Sequence, residues 1–595
     1  MGYRYDRFPH LDIDAGEVVC GYDAIIQVIR GAISHRPFVL AVETYPGVRD
    51  EEVVPELERL SADCFVNMRD LYLPDKDMSK RMAPWLTDDR VFGRMYYGTV
   101  EEFLVPQSVA VARAAVGACE GLSIVYGMGA TLLCDFGCCV YLDLTRWEIQ
   151  LRYRAGMANY NCSNHDEDIL RKYKRGYFVE WRMADRIKRG LGKRIDFVVD
   201  TNRAHEPKMI SGSQFFKAIE TFATSPFRMV PYFDPGVWGG QWMREHCNLD
   251  PEPDNYAWAF DGVMEEDSIR ARFGTVDVEL PAIDVVLFAP KELLGERNHS
   301  RFGAEFPIRF DLLDTVGGQN LSLQVHPTTD YIRGHFGMAY TQDESYYLLD
   351  ATDDACVYLG VRRGVRGEEM LAALRQAQGT GEFDAERYVN RLPAKRHDHF
   401  SIPAGTVHCA GAGAMVLEVS ATPYIFTFKL WDWGRLGLDG KPRPISIERG
   451  AQVIQWERDT DWVEANLVSR PQLLHDGDDY TEEATGLHEL EFVETRRYTI
   501  RTFVELGMRG SFSICNLVDG VAAKVVSPTG AFEPLEVHHA ETFVIPAAAG
   551  MVRIEPMEGE VMLLRAYVRG SQRPTGTAGP GHEASAGHTT KGSSQ

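Results

Sequence analysis

Two side chains that can bind a metal stand two positions apart in residues 321–327, which read L-S-L-Q-V-H-P. In an alternating run, Gln324 and His326 point to the same face of a strand. Burying an unpaired polar group costs about 1–3 kcal/mol, so this pair indicates a partner such as a metal ion. Further along, residues 343–344 (D-E) offer a carboxylate and residues 403–408 (P-A-G-T-V-H) end in His408. Two imidazoles, a carboxylate and an amide oxygen form a borderline ligand set that suits zinc.

The chain that must position these groups is too long for a single core. Its 595 residues predict three or four domains. The hydrophobic content of 45% and the charged content of 25% are typical of a globular protein. A formal charge of -23 argues against nucleic-acid binding, which requires a basic face.

The cysteines and the apolar segments predict a cytoplasmic protein that does not cross a membrane. None of the 11 cysteines stands in a C-x-x-C pair, which indicates free thiols in a reducing compartment. The polar N-terminal residues carry no signal pattern. The most apolar stretch, residues 123–144, contains Asp135 and three glycines, and it is predicted to form two buried strands.

Residues 1–222 predict an α/β domain. Apolar runs at 37–42, 64–68, 122–126 and 138–143 have the length of strands, and helical patterns occur at 50–60, at 107–119 and from Arg146 onward. Strands that alternate with helices predict a parallel sheet covered on both faces.

The rest of the chain is predicted to be mainly β. Residues 223–475 show short alternating segments, interrupted by a helical insertion at about 365–392. Residues 476–569 form a second β-rich domain, and both are expected to be antiparallel barrels or sandwiches. Residues 570–595 are rich in Gly, Ser, Thr, Pro and His, so they are predicted to be a disordered tail.

The middle of the chain resembles type I phosphomannose isomerase, a zinc enzyme with the cupin (jelly-roll) fold. The resemblance covers about residues 226–449, with weaker support to residue 568, and its motifs occur in the family's order. They are W-G-G at 238–240, L-S-L-Q-V-H-P at 321–327, D-E-S-Y-Y-L-L-D-A at 343–351, I-P-A-G-T-V-H-C-A-G at 402–411 and W-D-W-G-R-L-G-L-D-G-K-P-R-P at 431–444.

The resemblance implies one Zn²⁺ per chain and a sugar phosphate as substrate. The four metal ligands that it implies are Gln324, His326, Glu344 and His408. His397 and His399 are the rival ligands, and their polar surroundings favour solvated histidines instead.

Glu418 lies in the apolar run M-V-L-E-V-S at 415–420, where the family also has a glutamate. A carboxylate inside such a strand would have a raised pKa, which suits a general acid or base. The alternative is a charge on the outer face of an antiparallel strand.

The sequence departs from the family where cations surround the sugar phosphate. The family's two lysines fall at Asp311 and Gln342, its arginine at Lys429, and a histidine at Ser446. Phosphate binding needs fixed cations or backbone N–H groups. We predict Lys429, Glu418 and Arg435 as catalytic residues and Arg309, Lys441 and Arg443 as substrate-binding residues, with Arg333 a further cation able to compensate.

The first domain resembles the uridine-kinase group of P-loop kinases over about residues 21–224. The similar segments are a strand, loop and helix at 38–53, a strand at 65–78, and a strand with an arginine-bearing helix at 140–156. Its phosphate loop is broken, because Asp50 and Glu51 replace the lysine and the hydroxyl residue and Thr44 replaces a glycine. An acid beside a triphosphate repels it, so we predict a scaffold that does not phosphorylate nucleotides, with a regulatory or dimerising role as the alternative.

The resemblance therefore predicts a metal-dependent isomerase that interconverts mannose 6-phosphate and fructose 6-phosphate through a cis-enediol. Two alternatives stay open. Asp311 and Gln342 favour an isomerase of a different or unphosphorylated sugar, and loss of turnover would leave a metal-containing sugar-phosphate sensor. The sequence leaves the oligomeric state open.

Overall fold

The computed structural model of the chain describes residues 4–570 except 422–423, 439, 441–442, 444, 487 and 489. The predicted substrate-binding residue Lys441 and nearly all of the predicted disordered tail therefore lie outside the described residues. In the part of the chain that is described, no helix has both the length and the apolar character needed to cross a membrane.

The first 224 residues contain eight strands and nine α-helices among the described positions. In chain order they are β1 (Leu11–Asp12), β2 (Val19–Cys20), α1 (Tyr22–Ala32), β3 (Phe38–Thr44), α2 (Asp50–Glu58), β4 (Cys64–Asn67), α3 (Asp75–Leu86), α4 (Pro106–Ala118), β5 (Leu122–Tyr126), α5 (Ala130–Leu133), β6 (Cys138–Asp143), α6 (Arg146–Arg154), α7 (Ile169–Arg175), α8 (Trp181–Leu191), β7 (Phe197–Asp200), β8 (Lys208–Ser211) and α9 (Gly212–Thr224).

Seven of these strands form one sheet in the order β2-β8-β7-β6-β3-β5-β4. The five strands from β7 to β4 are parallel, whereas β8 and β2 are antiparallel to their neighbours. The central strands β5 and β6 are buried along their whole length, as expected of strands covered by helices on both faces. The predicted parallel α/β sheet is confirmed for these five strands.

The middle of the chain has shorter elements. They are β9 (Tyr232–Asp234), α10 (Trp242–His246), β10 (Trp258–Phe260), β11 (Ser268–Phe273), β12 (Val276–Pro281), α11 (Ile283–Phe288), α12 (Pro290–Leu294), α13 (Glu296–Phe302), β13 (Arg309–Asp314), β14 (Leu323–Val325), α14 (Thr329–Phe336), β15 (Glu344–Ala351), β16 (Cys356–Val361), α15 (Gly367–Thr380), α16 (Ala385–Tyr388), β17 (Val389–Pro393), β18 (His399–Ile402), β19 (His408–Ala410), β20 (Ala414–Ser420), β21 (Phe428–Trp431), α17 (Ile447–Gly450) and α18 (Thr460–Asn466).

Two sheets from this region face each other. One has six strands in the order β18-β15-β20-β13-β10-β9, and the other has five in the order β17-β16-β19-β14-β21. Their paired neighbours are all antiparallel, in agreement with the predicted barrel or sandwich. His326, which follows β14, touches Glu344 of β15, so the two sheets meet at the predicted metal ligands.

The predicted helical insertion at 365–392 is wrong at its end. Helices α15 and α16 occupy most of it, but residues 389–392 belong to strand β17. Val389 and Leu392 pair with β16, and this ladder of backbone bonds outweighs a local helical pattern.

The C-terminal region is built from β22 (Gln472–Asp476), β23 (Tyr480–Thr485), β24 (Val493–Ile500), β25 (Val504–Gly507), β26 (Ser513–Asp519), β27 (Ala522–Val526), β28 (Leu535–His538), β29 (Thr542–Ile545), β30 (Met551–Pro556) and β31 (Val561–Val568). They form a six-stranded sheet, β22-β23-β24-β31-β26-β29, and a four-stranded sheet, β25-β30-β27-β28, around a separate apolar cluster. The predicted division at 475/476 falls within strand β22.

Two strand contacts join the regions. Strand β1 pairs in parallel with β11, and β11 pairs with β12 to complete a three-stranded sheet. Phe227 and Val544 exchange backbone hydrogen bonds of 3.0 and 2.8 Å. One apolar core of buried side chains is continuous from the first domain into the facing sheets.

Candidate metal centre

Three of the four predicted metal ligands converge between the facing sheets. His326 Nε2 lies 3.0 Å from one carboxylate oxygen of Glu344, and His408 Nε2 lies 2.8 Å from the other. All three side chains are completely buried. They form a group that could hold a metal ion. Ligand atoms around a tetrahedral zinc lie about 3.3 Å apart, since the bonds are about 2.0–2.2 Å long, so these separations fit such an ion after slight expansion.

The strands aim these side chains inward. Glu344 is the first residue of β15 and His408 the first of β19, while His326 directly follows β14. Because β14 and β19 are antiparallel neighbours, Gln324 stands opposite His408 in register.

The histidine rings present lone pairs to the carboxylate. His326 Nδ1 lies 2.9 Å from the Phe426 carbonyl oxygen, and His408 Nδ1 lies 2.8 Å from the Thr406 carbonyl oxygen. A carbonyl only accepts, so each Nδ1–H donates and each Nε2 of a neutral ring carries a lone pair. In the neutral rings these lone pairs face the oxygens of Glu344, and a metal ion placed between them would bind all three side chains. Carbonyl partners of this kind also fix the orientation of metal-binding imidazoles.

Electrostatics support an ionised carboxylate at this point. Burial alone would raise the pKa of Glu344, but the neighbouring His326 and His408 hold it well below its usual range. Burial also opposes the charged form of His326, yet the carboxylate of Glu344 raises the pKa of this imidazole. The centre therefore keeps a buried negative charge that attracts cations.

Gln324, the remaining predicted ligand, lies beside these three side chains. Its amide nitrogen Nε2 lies 3.2 Å from His408 Nε2. Amide oxygen and nitrogen are assigned from hydrogen bonds, and turning the amide over would point its oxygen Oε1 into the same space. Two nitrogens, a carboxylate and an amide oxygen in a buried pocket fit Zn²⁺.

The structure corrects the interpretation of one rival ligand. His399 was expected to be solvated, but it starts β18, is 2% exposed and has its Nε2 2.9 Å from Ser345 Oγ. Burial, followed by the charge of Arg497, lowers the pKa of His399 to about 3. His397 is half-buried, with its Nδ1 3.0 Å from the Tyr347 hydroxyl oxygen. Neither histidine belongs to the cluster around Glu344.

A cleft of about 250 Å³ opens beside the centre and reaches Gln324. Its volume equals that of about eight waters, which is the scale of a sugar. Aromatic rings, acids and two cations share its wall. The members that matter for chemistry are Trp238, Trp258, Phe260, Asp234, Asp311, Glu418, Lys429 and Arg443. A larger cleft of about 530 Å³ beside Lys291 and Arg509 contains none of the predicted site residues.

Lys429 reaches the cleft from β21, the edge strand of its sheet, where it pairs with Gln324. Its pKa falls from the ordinary value of 10.5 to about 7, first because of burial and then because of the positive charge of Arg443. The group is therefore poised to change its charge near neutral pH.

Glu418 lines the same cleft, on the inner side of β20. Burial raises its pKa well above the usual range, and the nearby charges of Glu344 and Asp311 raise it further. Gln342 donates through its Nε2 to Glu344 Oε2 at 3.0 Å and to Glu418 Oε1 at 3.5 Å. This glutamine, which stands where the family has a lysine, links a metal ligand to the predicted base.

The predicted substrate-binding residues Arg309 and Arg443 and the predicted catalytic residue Arg435 already have acidic partners. Arg309 is buried, and its Nε donates to Asp311 at 2.9 Å. Arg443 and Arg435 both bind Asp432, at 2.9 and 2.7 Å. Their predicted roles, like those of Lys429 and Glu418, stay predictions.

Sequence reasoning did not single out two features of the cleft. Trp258 and Phe260 occupy alternate positions of β10 and line the cleft together, a period-2 signal that is visible in W-A-F. Asp432 forms ion pairs with Arg435 and Arg443. Its position between two tryptophans in the sequence does not indicate these contacts.

The arrangement defines a buried two-histidine, one-carboxylate centre at the edge of a polar cleft. Mannose-6-phosphate isomerases are similar in sequence to this chain. ManA of Bacillus subtilis is 27% identical over 236 residues, which are 39% of this chain and 69% of ManA. The mannose-6-phosphate isomerase of Streptococcus mutans is 28% identical over 220 residues, 37% of this chain and 64% of that enzyme.

Solved structures of mannose 6-phosphate isomerases are also similar to this chain. The mannose 6-phosphate isomerase of Bacillus subtilis has a TM-score of 0.47 at 18% identity, over 58% of this chain and all of that chain. A mannose 6-phosphate isomerase bound with zinc and yttrium has a TM-score of 0.44 at 16% identity, again over 58% of this chain and all of the other.

The first domain matches a different family. Residues 21–224 match a family model described as Domain of unknown function (DUF8485). The predicted likeness to P-loop kinases is not confirmed. Asp50 has a local structural role instead, because it begins α2 and accepts a hydrogen bond from the Tyr126 hydroxyl at 2.7 Å.

Proposed function

We propose that the protein is a metal-dependent aldose–ketose isomerase that interconverts mannose 6-phosphate and fructose 6-phosphate. One observation carries this proposal. His326, Glu344 and His408 converge on one point beside a sugar-sized cleft that also holds Glu418 and Lys429. The similarity to mannose-6-phosphate isomerases supports the choice of reaction.

The metal would be held by His326, Glu344 and His408, with Gln324 as the fourth ligand. When bound, Zn²⁺ supplies Lewis-acid polarisation of the substrate's carbonyl and hydroxyl oxygens. The single carboxylate among the ligands leaves a net positive charge at the centre.

Glu418 is the proposed proton carrier. Its carboxylate takes the proton from C2 of the aldose, and the C–H electron pair forms the double bond of the cis-enediol. The same carboxyl then gives the proton to C1, while a hydroxyl proton moves from O2 to O1, so no co-reactant is consumed. A raised pKa suits this exchange, because a catalytic acid or base works best when its pKa approaches the working pH.

Lys429 is proposed to hold the negative charge that develops on the enediol oxygens. Its side chain is partly buried at the cleft, where a fixed charge acts more strongly than in bulk water. Arg435, which binds Asp432 together with Arg443, would act through this acid by keeping Arg443 at the cleft.

A second candidate, an isomerase of a different or unphosphorylated sugar, is favoured by the charges of the cleft. Three acids, Asp234, Asp311 and Glu418, line it against the two cations Lys429 and Arg443. Arg443 is already paired with Asp432, so it is not a free cation for a doubly charged phosphate. The aromatic rings of Trp258 and Phe260 offer apolar surface to the carbon face of a neutral sugar.

A coupled isomerase assay separates these functions. Mannose 6-phosphate and mannose would each be offered to the zinc-loaded protein, to the chelated protein and to the chelated protein after zinc is restored. Turnover of mannose 6-phosphate that disappears with chelator and returns with zinc supports the first proposal. Turnover of mannose alone supports the second. Binding of mannose 6-phosphate without turnover of either sugar contradicts both and indicates a sensor.

A further inference from the structure

A loop of the first domain packs behind the metal centre. This loop, residues 87–94, lies in the segment that matches the family of unknown function. Phe92 is 3% exposed and stacks on Phe426, with ring centroids 5.4 Å apart and planes at 16°. It also meets the ring of Phe428 edge-on at 5.3 Å. The first domain thus contacts the segment that leads into strand β21.

Phe426 connects this packing to the metal ligands through its backbone. Its carbonyl oxygen accepts the hydrogen bond from His326 Nδ1 at 2.9 Å. Its N–H donates to Gln342 Oε1 at 3.0 Å, and Gln342 in turn donates to Glu344 at 3.0 Å. The backbone position of this one residue therefore affects the orientation of both a histidine and a carboxylate ligand.

The loop is itself held in place. Asp89 Oδ1 accepts the backbone N–H groups of Val91 and Phe92 at 2.7 and 2.9 Å. Asp89 Oδ2 accepts from Arg449 Nε at 2.9 Å, which ties the loop to helix α17 of the second region. The Tyr424 hydroxyl donates to the Val91 carbonyl at 3.0 Å. These bonds fix the Phe92 ring against Phe426.

We propose that Phe92 is a positioning residue for the metal centre, and that the first domain serves the second by holding residues 424–428 in register. The inference rests on the proposed metal site. It goes beyond that site because it gives a role to the first domain, which supplies no residue to the proposed reaction. Shortening Phe92 lets the Phe426 peptide relax, so His326 loses its fixed orientation. The consequence is weaker metal binding and altered ligand geometry.

The test compares Phe92→Ala, Phe92→Leu and the control Phe215→Ala in the full chain. Phe215 is also fully buried and contacts Phe288 of the second region at 5.5 Å, but it does not touch residues 424–428. Zinc affinity would be measured by competition with a chelating dye, and ligand geometry by the visible absorption of the Co²⁺-substituted protein. Both readouts are independent of turnover.

The expected result is a zinc affinity about tenfold lower in Phe92→Ala, with a shifted Co²⁺ spectrum and substantial rescue in Phe92→Leu. Phe215→Ala should keep the wild-type affinity and spectrum. Equal affinities in Phe92→Ala and Phe215→Ala, or an unchanged Co²⁺ spectrum in Phe92→Ala, would overturn the inference.

A variant outside the core guards against simple misfolding. Arg449→Gln cuts the ion pair to Asp89, and the arginine side chain is 24% exposed. A reduced zinc affinity in this folded variant supports the inference, and a wild-type affinity contradicts it. If the wild-type protein binds zinc but isomerises no sugar, the proposed reaction fails while these measurements still decide the role of Phe92.

Discussion

Asp311 stands directly opposite Glu418 on the antiparallel strands β13 and β20, and both carboxyl groups line the cleft beside the metal centre. Burial raises the pKa of Asp311 to about 6, although Arg309 opposes this shift. The raised pKa of Glu418 favours its neutral form, whereas Asp311 pairs with the buried Arg309 at 2.7 Å. We predict that the charge of Asp311 weakens the binding of phosphorylated sugars in this cleft.

Replacing Asp311 tests that prediction. Asp311→Asn removes one negative charge from the cleft and should improve the binding of a phosphorylated sugar by about 1–2 kcal/mol, which corresponds to about tenfold in KM. The KM for mannose 6-phosphate would be compared with the KM for mannose in the same variant. The neutral sugar is the internal control, and an unchanged ratio of the two values would show that Asp311 does not select against phosphate.

Removing one imidazole should empty the metal site. His326→Ala is expected to lose zinc and to lower isomerase activity by about a thousandfold, since metal polarisation is worth several kcal/mol. Elemental analysis and the coupled assay measure both quantities. The matched control is His399→Ala, which removes a buried histidine outside the cluster and should retain zinc. Full zinc occupancy in His326→Ala would refute the proposed centre.

Glu418→Gln tests the proposed proton carrier. The amide cannot take up the C2 proton, so kcat should fall by about 100- to 10,000-fold while zinc content stays at one per chain. Steady-state kinetics and exchange of the C2 hydrogen with solvent provide the readouts. Continued hydrogen exchange in this variant would assign proton transfer to another group.

The charge of Lys429 should shape the pH profile. Because its pKa is about 7, the cation is present below that pH, and kcat is expected to decline as pH rises through about 7. Lys429→Arg stays charged and should lack this decline. The folded-state pKa lies below the ordinary 10.5, so the unfolded chain binds more protons between these values and stability rises with pH across that window. If kcat of Lys429→Arg declined with rising pH in the same way as that of the wild type, Lys429 would be excluded as the source of the decline.

A buried ion cluster holds the first domain to helix α11. Lys188 pairs with Asp143 and Asp284, and all three side chains are at most 1% exposed. Lys188→Met leaves these two buried acids without a cationic partner and should lower the free energy of unfolding by about 3–5 kcal/mol. Lys217→Met, which breaks an exposed pair with Glu220, should change it by less than about 1 kcal/mol. Denaturant unfolding of both variants provides the comparison.

Local sequence patterns predicted those parts of the fold that depend on local chemistry. The bounds of β5 and β6 follow from continuous apolar runs, and the inward direction of Gln324 and His326 follows from the period of a strand. Patterns failed where long-range pairing decides the outcome. Residues 389–392 pair with β16 instead of continuing a helix, and His399 is covered by neighbouring structure that the sequence does not reveal.

In the candidate site too, features set by local sequence could be predicted and features set by long-range contacts could not. The family motifs led to the three side chains that form the possible metal site, because each of them belongs to a short local run. The supporting contacts could not be predicted, since Phe92 and Phe426 are separated by more than 300 residues and meet only in the folded chain. Arg309 and Asp311 are two positions apart on β13 and pair on one face of it, whereas the partners of Arg443 and Arg435 depend on a loop whose path the sequence does not specify.

The parallel pairing of β1 with β11 imposes an order on biosynthesis. Leu11 and Asp12 have no ladder partner until Ala271 and Arg272 have left the ribosome, about 260 residues later. At about 5–20 residues per second, that interval lasts tens of seconds. During it, the nascent N-terminal segment has an unsatisfied strand edge, and a gene fragment that stops at residue 222 would keep this edge exposed permanently.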